Sequence, residues 1–155
     1  MKLFYLSLGS NIGQREHIIR QATALIGERI GNIEATSSMY ETEAQGYESD
    51  NLFINCVIAV RSTLSPHTLL HKTHQIEIDL GCPTHRHPDG SYCDRSIDID
   101  IIACEAMICN DATLTLPHPR MHLRQFVLAP LCEIAPGWMH PILQRTAAQL
   151  LEAII

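Results

Sequence analysis

The chain has 155 residues, 46% of them apolar and 18% charged, with a net charge of −6. That length suits one domain spanning 1–155, because single domains mostly run to roughly 100–150 residues and one of this size buries about 68–70% of its unfolded surface. A disulfide-stapled miniprotein, a membrane span and a general nucleic-acid binder are excluded, the last because 11 Lys+Arg face 17 Asp+Glu.

The start, Met1 to Gly9, has one basic residue and no small-residue cleavage site, so it does not read as a signal peptide. The six cysteines are then expected to be reduced thiols of a cytoplasmic protein. Lys2–Leu8 is almost wholly apolar and runs into Gly9-Ser10-Asn11, a buried strand followed by a turn. Ile18, Ile19, Ala22, Leu25 and Ile26 form one apolar stripe, which predicts a helix over Gln14–Ile26. Ile33–Glu41 and Leu52–Arg61 are rich in apolar and β-branched residues and read as strands, with a loop over Thr42–Asn51. Ser65-Pro66 is a helix start, and Gly81 stops the stripe that continues through Leu69, Leu70, Thr73, Ile76 and Leu80.

Cys82–Asp94 has turn-forming residues and almost no apolar ones, which predicts a long exposed loop. Ser96–Cys104 alternates and reads as a strand. A hairpin near Cys109-Asn110-Asp111, a Pro117-His118-Pro119 turn, a helix over Met121–Leu131 and a terminal helix over Ile142–Ile155 complete the chain. The order strand–helix–strand–strand–helix–strand predicts an α+β, ferredoxin-like antiparallel sheet with helices on one face.

Within this plan Asp98 and Asp100 are two apart on one strand, so both carboxylates project from the same face, with Cα atoms about 6.6 Å apart. Ile97, Ile99 and Ile101 point the other way, into the core. An exposed polar face is the ordinary meaning of such alternation. Two adjacent acids also suit hard divalent cations such as Mg²⁺, which in turn clamp phosphate oxygens. Asn55 lies among Phe53, Ile54, Cys56, Val57 and Ile58, where an unpaired amide costs free energy.

Several separated motifs in order carry a resemblance. They are Gly9-Ser10-Asn11, Phe53-Ile54-Asn55, Arg95 with Asp98 and Asp100, Leu116-Pro117-His118-Pro119, Arg124 with Phe126, and Pro130-Leu131-Cys132-Glu133-Ile134-Ala135-Pro136. Together the chain resembles the 6-hydroxymethyl-7,8-dihydropterin pyrophosphokinases of the folate pathway over about the first 136 residues. The resemblance implies transfer of pyrophosphate from MgATP to the hydroxymethyl group of the dihydropterin, with AMP released. It implies Asp98 and Asp100 as ligands of two Mg²⁺ ions, and Arg95, His118 and Arg124 as cations around the phosphates. Glu77 then matches an acid of the ATP site. Phe53 and Phe126 sandwich the pterin ring, Asn55 hydrogen-bonds its edge, and Thr42, Glu43 and Gln45 contact it from the loop. The implied partners are ATP and the pterin, with no nucleic acid and no membrane, and a monomer is expected.

Two places depart from the family pattern. Its long loop usually starts Gly-Arg-x-Arg and ends near a Trp, whereas this chain has Gly81-Cys82-Pro83-Thr84-His85-Arg86-His87 and Tyr92, leaving Arg86 as a displaced equivalent. Glu43 and Ala44 stand where the family's pterin loop commonly has prolines. Two other readings compete: zinc held by Cys82, His85, His87 and Cys93, and a ferredoxin-like small-ligand-binding module. The second leaves the joint occurrence of Arg95, Asp98, Asp100, His118 and Arg124 without a reason.

Overall fold

A computed structural model of the chain describes residues 1–43, 52–81 and 97–155. Strand β1 (Lys2–Ser10) leads to helix α1 (Arg15–Arg29), then strands β2 (Asn32–Thr36), β3 (Tyr40–Thr42) and β4 (Phe53–Ser62). Helix α2 (Pro66–Asp79) precedes β5 (Asp98–Cys104) and the short pair β6 (Cys109–Asn110) and β7 (Thr115–Leu116). A 3₁₀ turn at Met121–Leu123, α3 (Gln125–Ile134) and α4 (Ala147–Glu152) follow.

The main sheet has the order β2-β4-β1-β5, all antiparallel, and β3 pairs β4 beyond β2. Two strand–helix–strand crossovers are therefore interleaved: β1-α1-β2 steps over β4, and β4-α2-β5 steps over β1. That is the expected ferredoxin-like sheet. α1 and α2 cover one face, packing Ile19, Ala22, Ile26, Leu69 and Ile76 against Phe4, Leu6, Leu8, Ile58, Ile97, Ile99 and Ile101.

The helices do not all lie on that face. Met121, Val127, Leu128, Leu131, Ala147 and Leu150 pack on the opposite face, against Tyr5, Val57, Ala59 and Ile102. The expectation of helices on one face fails because β1 and β4 are buried on nearly every residue. Unbroken apolar strands need cover on both sides.

The expected strand over Ile33–Glu41 is two strands on the same edge of β4. Ser37 bridges the break: its N–H donates to Val57 O (2.9 Å), and its Oγ accepts from Val57 N–H (2.9 Å). A hydroxyl thus replaces one rung of the ladder where the register shifts. β1 runs through Gly9 and Ser10 rather than turning there.

Local signals account for the helix ends. Ser65 Oγ accepts the Thr68 N–H with Pro66 in the first turn, a cap that stabilises by about 1 kcal/mol. Gly81 takes φ +92°, the left-handed conformation that stops the helix. The helix expected over Met121–Leu131 begins later, because Arg124 is extended between the 3₁₀ turn and α3. The expected terminal helix over Ile142–Ile155 is shorter. His140 Nδ1 accepts N–H groups of Ile142 and Leu143, and Gln144 has φ +56°, which holds 140–145 in a turn. Thr146 and Gln149 then form a reciprocal capping box that starts α4.

Candidate active site

Cross-strand pairing gathers the chemistry at one corner of the sheet. Gly9 on β1 pairs with Asn55 on β4 and with Asp98 on β5, while Ser7 pairs with Val57 and Asp100. Directly paired residues share a face, so Asn55, Gly9 and Asp98 form a row across three strands, with Asp100 one step along. This is the face that α3 and α4 cover at its other end. Ile97, Ile99 and Ile101 are buried on the opposite face, as the alternation requires.

Gly9 keeps the row open. A Cβ there would stand 2.8 Å from Asn55 Oδ1 and 3.4 Å from Phe53 Cδ1, so only glycine leaves both side chains in place. Asn55 is 4% exposed, and its Nδ2 donates to Thr42 Oγ1 at 2.6 Å. Thr42 arrives through its pairing with Phe53, next to Tyr40 opposite Asn55. Sequence reasoning took Gly9 for a turn residue and missed this space-making role, which becomes visible only with the strand register.

Two further contacts brace the corner. Arg15 on α1 donates to Leu52 O (2.6 Å) and to Glu41 Oε2 (3.2 Å), tying the chain on either side of 43–51 to one guanidinium. Glu133 on α3 accepts from the Ser38 N–H, the Ser38 hydroxyl and the Tyr40 hydroxyl at 2.6–2.8 Å, which anchors β3 to the helix carrying Phe126. The Arg124 guanidinium carbon lies 5.5 Å from the Phe126 ring centroid, close enough for a cation–π contact.

Glu77, expected at the nucleotide, reaches from α2 to β5. It is 4% exposed, and its Oε2 accepts the Ile99 N–H at 2.8 Å. Among the described residues β5 is an edge strand, and the Ile99 N–H between Asp98 and Asp100 finds its partner in Glu77. The contact ties α2 to the strand segment that carries both aspartates.

Beside β5 opens a cleft of about 270 Å³, with Leu70 and His74 of α2, Asp100 and Ile101 of β5, Thr113 and His118 among its lining residues. His74 was not anticipated. It sits on the helix face of Leu70 and Glu77, and that spacing is the signal that could have found it. The His118 N–H donates to the carbonyl of Ile102 (2.8 Å), the extra residue at the β1–β5 bulge.

His118, expected as a cation around the phosphates, is held below its ordinary value in the unliganded chain. Burial, then Arg124 and Arg120, push it down to about 4, so it is neutral near pH 7. Its Nδ1 accepts the Arg120 N–H at 3.1 Å, which leaves the proton on Nε2. A histidine of ordinary value 6.5 when unfolded and about 4 when folded takes up protons preferentially in the unfolded state. Stability is therefore complete above pH 6.5 and lost as pH falls towards 4. Burial lowers His140 as well, with the same sign. Between pH 7 and 5, urea unfolding is expected to show the parent losing about 2 kcal/mol more than His118→Gln; equal losses would remove His118 as the cause.

Cys56 is buried and pushed up to about 12, and Cys104 up to about 11, so both are inert core thiols. Of the anticipated site residues, Asp98, Asp100, Phe53, Asn55 and Thr42 share the corner, and Arg124 meets Phe126. Glu43 is exposed just beyond β3. Gln45, Arg86, Arg95 and the Cys82–Cys93 loop with His85 and His87 lie outside the described residues.

Known proteins bear on this geometry. The sequence pattern of the 7,8-dihydro-6-hydroxymethylpterin-pyrophosphokinase (HPPK) family matches residues 5–136. A Porphyromonas gingivalis protein named 2-amino-4-hydroxy-6-hydroxymethyldihydropteridine pyrophosphokinase is 44% identical over 142 residues, 91% of this chain and 95% of its own. The Bacillus subtilis protein of the same name is 41% identical over 131 residues, 84% of this chain and 76% of its own. A crystal structure of Plasmodium falciparum HPPK-DHPS with pteroate superimposes with a TM-score of 0.75 over 98% of this chain at 17% identity. This chain spans 42% of that longer protein, and at that identity the likeness concerns the fold.

Proposed function

Because the chain belongs to the 7,8-dihydro-6-hydroxymethylpterin-pyrophosphokinase family, we propose that the corner formed by β1, β3, β4 and β5, with the adjoining cleft, is its active site. The chain is an ATP-dependent diphosphokinase: it transfers pyrophosphate from ATP to the hydroxymethyl group of 6-hydroxymethyl-7,8-dihydropterin and releases AMP, a step of folate biosynthesis. The observation that carries the assignment is the row Asn55–Gly9–Asp98, which sets a buried amide and a pair of carboxylates on one face, across a strand without a side chain between them.

In this reading Asn55 hydrogen-bonds the donor–acceptor edge of the pterin, with Thr42 fixing the orientation of its amide. Phe53 and Phe126 hold the ring's faces, and Glu43 and Gln45 add contacts from the loop. The pterin's hydroxymethyl group then points along the row towards Asp98 and Asp100. The purine and ribose occupy the cleft between α2 and the β6–β7 hairpin. The triphosphate reaches Arg124 and His118 from there, with Arg86 and Arg95 joining it. Arg124 gives bidentate hydrogen bonds, and neutral His118 gives one from Nε2.

The oxygen-only donor set of Asp98 and Asp100 fits Mg²⁺, and we propose that they hold two such ions. When bound, Mg²⁺ neutralises phosphate charge and lowers the pKa of the alcohol. The alcohol gives its proton to solvent and its oxygen forms the new bond to the β-phosphorus, the bond from that phosphorus to the α-phosphate bridging oxygen breaks, and AMP leaves. Glu77 acts one step back, by fixing the β5 peptide that carries both aspartates.

We further propose that the chain acts as a monomer, a single domain over 1–155. Among the described residues no helix is long and apolar enough to cross a membrane. Cys56, Cys104, Cys109 and Cys132 are free thiols, which supports a reducing compartment such as the cytoplasm. Chromatography of reaction mixtures tests the assignment: AMP should accumulate only when ATP, Mg²⁺ and the pterin are all present. A folded sample that forms no AMP from the complete mixture would sink it.

A further inference from the structure

We propose a second metal site, distinct from the aspartate pair, in which His67 Nε2, Cys109 Sγ and Asp111 Oδ2 bind a borderline transition ion such as Zn²⁺. These three ligand atoms, from α2 and the β6–β7 hairpin, all lie within 4.8 Å of one another. Asp111 Oδ2 is 2.7 Å from His67 Nε2 and 3.7 Å from Cys109 Sγ. A tetrahedral ion with bonds of roughly 2.0–2.3 Å needs its ligands about 3.3–3.7 Å apart. The two Asp111 distances bracket that spacing and the His67–Cys109 pair lies within 4.8 Å, so side-chain shifts of about 1–1.5 Å at most admit the ion.

The surroundings hold the ligands in place. Asp111 Oδ1 accepts the Thr113 N–H, the Leu114 N–H and the Thr113 hydroxyl at 2.9–3.0 Å, which turns Oδ2 towards the other two ligands. Such outer hydrogen bonds are what orients a metal-binding carboxylate. His67 is fixed in the first turn of α2, whose start Ser65 caps. The side chains of His67 and Asp111 are 50% and 45% exposed, so an ion enters directly from solvent.

The donor set decides the metal. One nitrogen, one sulfur and one oxygen suit Zn²⁺ or Co²⁺, whereas Mg²⁺ takes oxygen ligands. The thiol loses its proton to solvent as the metal–sulfur bond forms, and water completes the coordination. Asp111 also lines the cleft, so the ion would clamp the hairpin to α2 beside the nucleotide.

The test is titration of metal-free protein with Co²⁺, followed by thiolate-to-cobalt charge-transfer absorption, then displacement by Zn²⁺ and by Mg²⁺. The parent should bind one Co²⁺ with that band, displaced by Zn²⁺ and not by Mg²⁺. Cys109→Ala should lose the band. His67→Ala, a change at an exposed helix position, should weaken binding by about tenfold or more while AMP turnover with Mg²⁺ stays at the parent rate. A Cys82→Ala, Cys93→Ala double variant should keep the band. The site is refuted if the parent shows no band, if Cys109→Ala and His67→Ala bind as the parent does, or if the band disappears in the double variant.

Discussion

Asp98→Ala and Asp100→Ala are each expected to lower the rate of AMP formation at saturating substrates by about 10³-fold, equivalent to about 4 kcal/mol of transition-state stabilisation. The size follows from the chemistry. Phosphoryl transfer leaves the protein little to do beyond alignment and charge neutralisation, and under the proposal these carboxylates hold the ions that neutralise. Asp98→Asn and Asp100→Asn should be nearly as impaired, because an amide keeps the shape and loses the charge. The fold should change little: both aspartates sit at the half-buried positions of β5 while the isoleucines beside them stay in the core. Urea midpoints within about 1 kcal/mol of the parent would confirm that the loss is chemical. Raising Mg²⁺ should restore part of the rate in the asparagine variants. Turnover equal to the parent in any one of them would reduce the pair to an ordinary polar face.

The same strand shows what the sequence could disclose. Strict alternation in 97–101 revealed both the strand and the shared face of the two acids, because a period of two leaves no other arrangement. The apolar runs of β1 and β4 carry equally good information. Strands without alternation require cover on both faces, and α3 and α4 provide it. Gly9 and Glu77 were beyond local pattern. The role of Gly9 depends on which residues stand opposite it, and that of Glu77 on the edge position of β5. The family resemblance made His118 a cation, and what local pattern does not register is that burial beside two arginines lowers its pKa in the unliganded chain. The shortened last helix depends on His140 accepting two backbone N–H groups, a competition with helix that apolar spacing does not register.

Asn55→Leu is expected to lower kcat/KM for the pterin by about 10²-fold while leaving the affinity for ATP within about twofold. The argument rests on burial. At 4% exposure the amide at this position is shielded from water, so a leucine leaves the polar edge of a bound pterin facing hydrocarbon with no substitute partner. An unpaired buried group costs about 1–3 kcal/mol, and a pterin edge presents more than one. Thr42 Oγ1 also loses the Nδ2 donor, so part of the cost appears as lower stability, of the order of 1 kcal/mol. Gly9→Ala separates the amide's placement from its presence. Its Cβ, 2.8 Å from Asn55 Oδ1, forces that side chain aside without removing it. KM for the pterin should then rise about tenfold, with kcat less affected because the aspartates lie on β5. Isothermal titration with the pterin and, separately, with a nonhydrolysable ATP analogue reads both variants. If Asn55→Leu and Gly9→Ala weaken both ligands equally, the corner is a shared scaffold and the pterin lies elsewhere.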